Sequence, residues 1–322
     1  MAYFWDRIKE RAEETIECLK KGVNPPIRRY ALHINSKCNM VCNYCNTKRN
    51  SKEMDRDLFR QLCKKAGKQG VVHVTGGEPL LTYWLEDEIY NQINITNIAL
   101  NSNLLVMPKL KTLESIFRLK TSLDDYEANT WNKTTGGNFF NRIVKHIQNA
   151  SKIVKNTSIC FTATHQNSYK LQKFLDFCTI TFPEISQISV SFYKGDNIAL
   201  KLMAEDIYLM FEVVDFMKPE SKQLFLESHS PMGDYYPENI SIPCYLSLTE
   251  RLYDEYGREF YCSHLYRDGV EPPGNPSQDY HCIIGCNKRF RDTNHYIHTK
   301  LMKNDYVIKE EKCLKNQNLY LV

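Results

Sequence analysis

The alternation of short strand patterns with amphipathic helix patterns constrains the fold of this 322-residue chain more than any other feature. Strand periodicity occupies 29–35, 70–75, 95–101, 118–124, 157–164 and 186–193; helix periodicity falls at 55–68, 83–93, 107–117, 137–150, 168–181 and 203–218. Six βα units in succession imply a parallel sheet with right-handed crossovers, open or curling towards a barrel. One strand parity is apolar: Leu32 and Ile34, Val72 and Val74, Ile98 and Leu100, Leu119 and Leu123, Ile159 and Phe161, Ile188 and Val190. That parity should face the helices. The other is mostly polar, with His33, Asn35, His73, Thr75, Asn97, Asn101, Lys120, Ser122, Asp124, Cys160, Thr162, Ser189 and Ser191. A closed eight-stranded barrel fills its interior with branched apolar side chains. Six strands with a polar inner face predict instead an α/β fold, a partial (β/α)6 TIM-like barrel whose cavity takes a polar ligand.

The flanks differ in texture. Residues 1–27 form an N-terminal helix, with Phe4, Ile8, Ala12, Ile16 and Leu19 on one stripe and Gly22 and Pro25-Pro26 as its stop. The barrel occupies 28–224. From 225 to 300 proline and tyrosine become frequent and helical periodicity fades, which predicts a smaller loop-rich domain; 301–322 is a tail. The charge balance of 42 Lys+Arg against 38 Asp+Glu does not argue for nucleic-acid binding, and the short basic clusters read as solvated faces. No apolar run approaches the roughly 18 residues of a membrane span. The N-terminus lacks a signal peptide's hydrophobic block, so the chain reads as cytoplasmic. In a reducing compartment twelve cysteines point to metal or catalytic use rather than disulfides.

Three of those cysteines, Cys38, Cys42 and Cys45, follow the first strand within eight residues, at the strand end where barrel active sites form. Three thiolates are one short of the set that closes an iron–sulfur cube, and would leave one iron open to a chelating molecule. Zinc, or three unrelated thiols, is the alternative reading of the triad taken by itself.

The C-x3-C-x2-C spacing, with Tyr44 before the last cysteine, resembles the signature of the radical S-adenosylmethionine (SAM) enzymes. Downstream, Gly76-Gly77-Glu78-Pro79 directly after the second strand looks like that family's GGEP motif. The resemblance implies a [4Fe-4S] cluster at Cys38, Cys42 and Cys45, with SAM's amino group held by the backbone and glutamate of the second motif. Paired glycines let backbone approach a ligand, and a carboxylate pairs with an ammonium. Ser122-Leu123-Asp124 resembles the family's S-x-D segment, where polar residues meet SAM's ribose and carboxylate, and Asn101-Ser102-Asn103 its polar third-strand end. Thr162 and Ser191 share the inward parity and could line the same cavity. The family's chemistry is reductive cleavage of SAM to a 5′-deoxyadenosyl radical, which abstracts hydrogen from an unactivated C–H.

A second cysteine group, Cys244, Cys262, Cys282 and Cys286, resembles the twitch/SPASM-like extensions behind many radical SAM cores. There a hairpin carries ligands of an auxiliary [4Fe-4S] cluster, and Tyr253–Tyr261 fits such a hairpin with Gly257 at its turn. A zinc site, or a set in which His264, His281 or a substrate replaces one thiol, competes with this reading. Cys160 and Cys313 are candidate donors of a hydrogen atom back to a substrate radical.

By resemblance the substrate is a ribosomally made peptide that is oxidised or cross-linked, with a flavodoxin or ferredoxin as one-electron donor. The alternatives are a carbohydrate or aminoglycoside-type dehydrogenase or epimerase, and a non-enzymatic iron–sulfur redox sensor or scaffold. Fewer than thirty residues precede Arg28, too few for a leader-binding winged helix, which typically needs about 80.

Overall fold

The computed structural model describes residues 2–193, 195–217, 224–225, 244–261 and 288–302. The strands are β1 (Arg29–His33), β2 (Val71–Thr75), β3 (Asn97–Asn101), β4 (Arg118–Ser122), β5 (Thr157–Ala163), β6 (Gln187–Phe192), β7 (Leu224–Phe225), β8 (Glu250–Tyr253) and β9 (Glu259–Phe260). The helices are α1 (Ala2–Lys20), α2 (Arg56–Ala66), α3 (Leu85–Gln92), α4 (Leu110–Ser115), α5 (Ala128–Thr135), α6 (Phe140–Ile153), α7 (Leu171–Thr181), α8 (Ala204–Met217) and α9 (Lys288–Met302). Two compact units interleave along the chain: Leu32–Glu227 with Asp254–Gly257, and Met1–Ala31 with Ser228–Tyr253 and Arg258–Val322.

In the larger unit the strand order runs β7-β6-β5-β4-β3-β2-β1 without closing, and β2 through β7 pair in parallel. This is the open, partial barrel that the βα alternation predicts. The apolar parity explains why it forms. Leu32, Ile34, Val72, Val74, Leu100, Leu119, Leu123, Ile159, Phe161 and Val190 are all completely buried. Each such side chain contributes about 1.5–3 kcal/mol by leaving water. On the opposite parity His73, Thr75, Asn101, Lys120, Thr162 and Ser191 are only half-buried, whereas Asn35, Asp124, Cys160 and Ser189, expected on the same open face, are buried.

The helices obey local rules. The Asp55 carboxylate caps α2 by accepting from the Leu58 amide at 2.9 Å, and Gly67 ends the helix. In the larger unit two elements escape the sequence reading. β7 is too short to show a period, and joins β6 through Ile188↔Leu224 and Ser189↔Phe225. α5 buries only Trp131 and Thr135, so no apolar stripe announces it.

In the smaller unit, Ala12, Ile16 and Leu19 of α1 pack with Tyr245, Leu248, Ile297 and Leu301, the last two on α9. The i, i+4, i+7 spacing on α1 is the stripe expected of it. Outside this core Arg28 pairs with Glu14, its Nε donating at 3.0 Å. The hairpin β8–β9 is antiparallel with Leu252↔Phe260 and Tyr253↔Glu259, and the turn glycine, Gly257, has φ +81° as its position requires. Ala31, Leu252 and Phe260 form a small second core. The region expected to be loop-rich thus also carries α9, whose apolar contacts are too few for a clear helical period. Among the described residues no helix is long and apolar enough to cross a membrane.

Leu119→Ala, on the fully buried parity, should cost about 2–5 kcal/mol, because the removed methyls leave a cavity. Ile180→Ala, at a side chain 82% exposed, should stay within about 0.5 kcal/mol. Denaturant midpoints of the two variants check this, and equal midpoints would contradict the assignment of faces.

Candidate active site

Every element of the site lies in the larger unit. β1 ends at His33, the Ile34 amide donates to Thr75 O of β2 at 2.9 Å, and the chain then turns into the cysteine loop. Cys38 and Cys42 are half-buried and Cys45 is exposed. Backbone bonds fix this loop on α5: the Val41 amide donates to Thr135 O at 2.9 Å and the Asn43 amide to Thr134 O at 3.0 Å. Gly136, at φ +77°, ends α5, and a Cβ there would stand 3.1 Å from Val41 Cβ. The Arg49 guanidinium donates to Met40 O. Sequence reading missed this support, although Thr134-Thr135-Gly136-Gly137 carries the helix-ending glycine that could have flagged it.

The Gly-Gly-Glu-Pro loop lies directly against the cysteine loop. The Gly77 amide donates to Asn35 O at 2.8 Å and the Glu78 amide to Lys37 O at 2.6 Å. A Cβ on Gly77 would fall 2.1 Å from Lys37 O, and one on Gly76 (φ +151°) would fall 2.4 Å from Asn35 O. The glycines are therefore required first by the approach of the chain to itself, before any ligand arrives. Asn35 strengthens the same junction through Nδ2, which donates to Glu78 O at 3.0 Å and Thr82 Oγ1 at 2.7 Å.

Glu78 is fully buried. Its Oε1 accepts from Ser102 Oγ at 2.9 Å and the Leu80 amide at 3.0 Å, and Oε2 accepts from the Asn103 amide at 2.7 Å. Burial pushes its pKa up to about 7, against the pull of those donors. The carboxylate thus clamps the loop to the end of β3. Of the expected Asn101-Ser102-Asn103 segment, Ser102 and Asn103 make the contacts, while Asn101 is half-buried on the inner face. Pro79 is buried and opens the short 3₁₀ turn capped by Glu78.

Asp124 makes the equivalent tie on the other side. Tyr44 Oη donates to Asp124 Oδ2, and the Thr162 amide donates to Oδ1 at 2.5 Å. Asn167 Nδ2 braces both residues, at 3.1 Å from Asp124 O and 3.0 Å from Thr162 O. Burial raises the Asp124 pKa to about 6. Burial likewise raises Cys42 to about 12 and pushes Cys38 upward, so both are neutral thiols until a metal takes the proton's place. Ser122 is exposed at the end of β4, directly paired in register with Cys160 of β5. Cys160 Sγ lies 3.4 Å from Ser191 Oγ on β6. Glu255, unremarked in the sequence, accepts from Ser36 Oγ at 2.6 Å and Asn50 Nδ2 at 2.7 Å, bracketing the cysteine loop from both ends.

Of the second cysteine group, Cys244 is half-buried in the smaller unit, just before a 3₁₀ turn over Tyr245–Leu248. Cys262, Cys282, Cys286 and Cys313, with His264 and His281, lie outside the described residues.

Residues 32–178 match the Radical SAM superfamily, and the larger unit shares its open, partial-barrel fold with solved structures. Its sequence relatives include a probable GTP 3′,8-cyclase of Methanococcus maripaludis, 28% identical over 165 residues, 47% of this chain and 55% of that protein. The GTP 3′,8-cyclase of Lactiplantibacillus plantarum is 32% identical over 137 residues, 38% of this chain and 41% of that one. The chain spans about half the length of the curated relatives it matches. Among solved structures, Streptococcus suis SuiB bound to S-adenosylmethionine has a TM-score of 0.60 at 17% identity, covering 80% of this chain and 65% of that one. The enzyme anSMEcpe with bound AdoMet and the Kp18Cys peptide has 0.59 at 13%, covering 84% and 83%. The superfamily carries SAM and a [4Fe-4S] cluster, and the donor set here suits that pair: three cysteines on one loop, partly open, hydrogen-bonded to the Gly-Gly turn.

Gly77→Ala should cost about 3 kcal/mol, the upper end for overpacking, and lower the iron retained after anaerobic reconstitution. Wild-type iron content and midpoint would contradict the close approach. Glu78 gives a pH prediction for the metal-free protein. The folded state keeps its proton up to about pH 7, whereas the unfolded chain releases it near the ordinary glutamate value. Its contribution to stability therefore falls as pH rises through that window. Thermal scans of wild type minus Glu78→Gln from pH 4.5 to 7.5 should show that slope, and parallel curves would refute it.

Proposed function

We propose that this chain is a radical SAM enzyme in which Cys38, Cys42 and Cys45 hold a [4Fe-4S] cluster whose remaining iron takes SAM. The observation that carries the reading is the backbone pairing of the two motif loops, Gly77 to Asn35 and Glu78 to Lys37, which sets the thiols beside the SAM-type turn. When bound, the cluster and SAM supply a 5′-deoxyadenosyl radical that takes hydrogen from an unactivated C–H. The chain's own residues would position these groups. Glu78 locks the Gly76-Gly77 turn so that its main chain can accept from SAM's ammonium. Tyr44 and Asp124 fix the far side of the cysteine loop. Asn101, Ser122, Thr162 and Ser191 offer polar contacts along the inner face. Cys160, beside Ser191, is the candidate for returning a hydrogen atom in a redox-neutral reaction.

The substrate we propose is a ribosomally made peptide that is oxidised or cross-linked. Support comes from extent: SuiB bound to its precursor peptide SuiA covers 88% of this chain and 70% of that one, and anSMEcpe with a peptide covers a comparable share. Cys244, Cys262, Cys282 and Cys286 would hold an auxiliary [4Fe-4S] cluster, a reading that the hairpin with Gly257 supports. A ferredoxin or flavodoxin would deliver the electron. The identity with GTP 3′,8-cyclases favours a second reading, action on a nucleoside triphosphate, but that likeness covers half or less of the chain.

Iron per chain after anaerobic reconstitution tests both clusters. We expect about eight irons, falling to about four in the triple variant Cys38→Ala, Cys42→Ala, Cys45→Ala. About four falling to none would remove the auxiliary cluster and bring forward epimerisation at Cys160. Under dithionite, intact protein with SAM should yield methionine and 5′-deoxyadenosine; none of either would support an iron–sulfur sensor or scaffold instead. GTP-dependent acceleration of that cleavage would move the substrate to nucleotides.

A further inference from the structure

We propose that the side-chain amide of Asn103 is a built-in hydrogen-bond donor to the cluster ligand Cys38, and that it raises the reduction potential of the cluster. Asn103 Nδ2 lies 3.7 Å from Cys38 Sγ, a hydrogen-bond distance for sulfur, and 2.8 Å from Asn39 Oδ1. The orientation of the amide follows from its other end. Oδ1 accepts from the Leu105 amide at 2.9 Å, closing an Asx turn, so only the NH2 group can face the cysteine loop. A flipped amide would set oxygen against Asn39 Oδ1 and lose the turn.

The backbone around this residue is held in a conformation that needs support. Leu104 has φ +56° and is the one non-glycine residue with positive φ among those described. That geometry is strained for a residue with a Cβ. Leu104 is completely buried, its amide donates to Ser102 Oγ at 3.0 Å, and its carbonyl accepts from His146 Nδ1 at 2.7 Å. The Asn103 amide is itself fixed on Glu78 Oε2. Strain of this kind persists where surrounding structure over-determines it, and it gathers at functional sites. Its consequence here is to aim one polar N–H at one ligand sulfur.

A hydrogen bond to a ligand sulfur stabilises the cluster more after it has gained an electron, because the sulfur then carries more negative charge. One electron from a low-potential donor converts the oxidised to the reduced cluster, and the bond favours the reduced side. The inference rests on Cys38 being a cluster ligand, as proposed above. Loss of iron in Cys38→Ala tests that assignment, while the potential of loaded protein tests the role of Asn103.

The experiment is an EPR-monitored redox titration of reconstituted protein, in wild type, N103D and N103S, each also carrying C244A, C262A, C282A and C286A so that only the first cluster reports. Asp and Ser both keep an acceptor for the Leu105 amide; neither presents the amide N–H to Cys38. At a fixed solution potential the ratio of reduced to oxidised cluster should fall about tenfold in N103S, about 59 mV for one electron. It should fall further in N103D, where a carboxylate faces the sulfur. Potentials equal to wild type, with full iron, would overturn the proposal. If neither variant retains iron, the protein lacking the second cysteine group, with asparagine side chains labelled with 15N, decides: pulsed EPR of the reduced cluster should show a 15N coupling that gives way to a 14N one in unlabelled protein. Spectra without that coupling would overturn the proposal.

Discussion

The site depends on two backbone hydrogen bonds, Gly77 N–H to Asn35 O and Glu78 N–H to Lys37 O, which make the loops after β1 and β2 into one surface. Side chains could not be interposed there, since even a Cβ would overlap a carbonyl oxygen. Everything around the junction serves to keep it closed. Asn35 reaches across it, Glu78 anchors its outer strand to the end of β3, and Glu255 holds its inner strand through Ser36. Main-chain bonds of this kind are indifferent to side-chain identity, so the geometry of the thiol loop rests on the part of the polymer that sequence variation alters least.

Two carboxylates then work as paired ties. Glu78 is bound by a hydroxyl and two amides, and Asp124 by a phenol and an amide, and both are buried deeply enough to hold protons far above their ordinary range. Their donors come from the loop after β2, the end of β3, β5 and the cysteine loop, so successive βα units are joined at the same end of the barrel. The open polar face between them is what remains when the apolar parity has been committed to the helices. A sheet sealed on both faces would have had no such interior.

Much of this was legible in the residues. The alternating parity located six of the seven strands β1–β7 to within a few residues, because burial on one face is a strong and periodic signal. The cysteine triad and the Gly-Gly-Glu-Pro turn were visible as patterns, and they do meet. Their physical logic was only half visible: the glycines and Glu78 read as ligand contacts, whereas the structure shows them engaged with the chain itself. Asn167 and Glu255 were silent, and Asn103 and the end of α5 were visible only as local signals without their contacts, because those partners are distant in sequence. Asn103 meets Glu78 and Cys38 across 25 and 65 positions, and no local period records such a pairing. The pairing of α1 with α9 was equally hidden, since each helix shows only its own stripe.

That last pairing has a consequence for how the protein is made. The apolar stripe of α1, with Ile16 and Leu19, leaves the ribosome before the whole of the barrel, and its partners Ile297 and Leu301 follow only after it. At synthesis rates of about 5–20 residues per second, the stripe waits on the order of a quarter of a minute to a minute without them. The barrel, encoded almost entirely between, can collapse in that interval. The nascent chain therefore presents a greasy, unsatisfied helix beside a nearly finished domain, and delivering it to its late partner is a task suited to a holding chaperone.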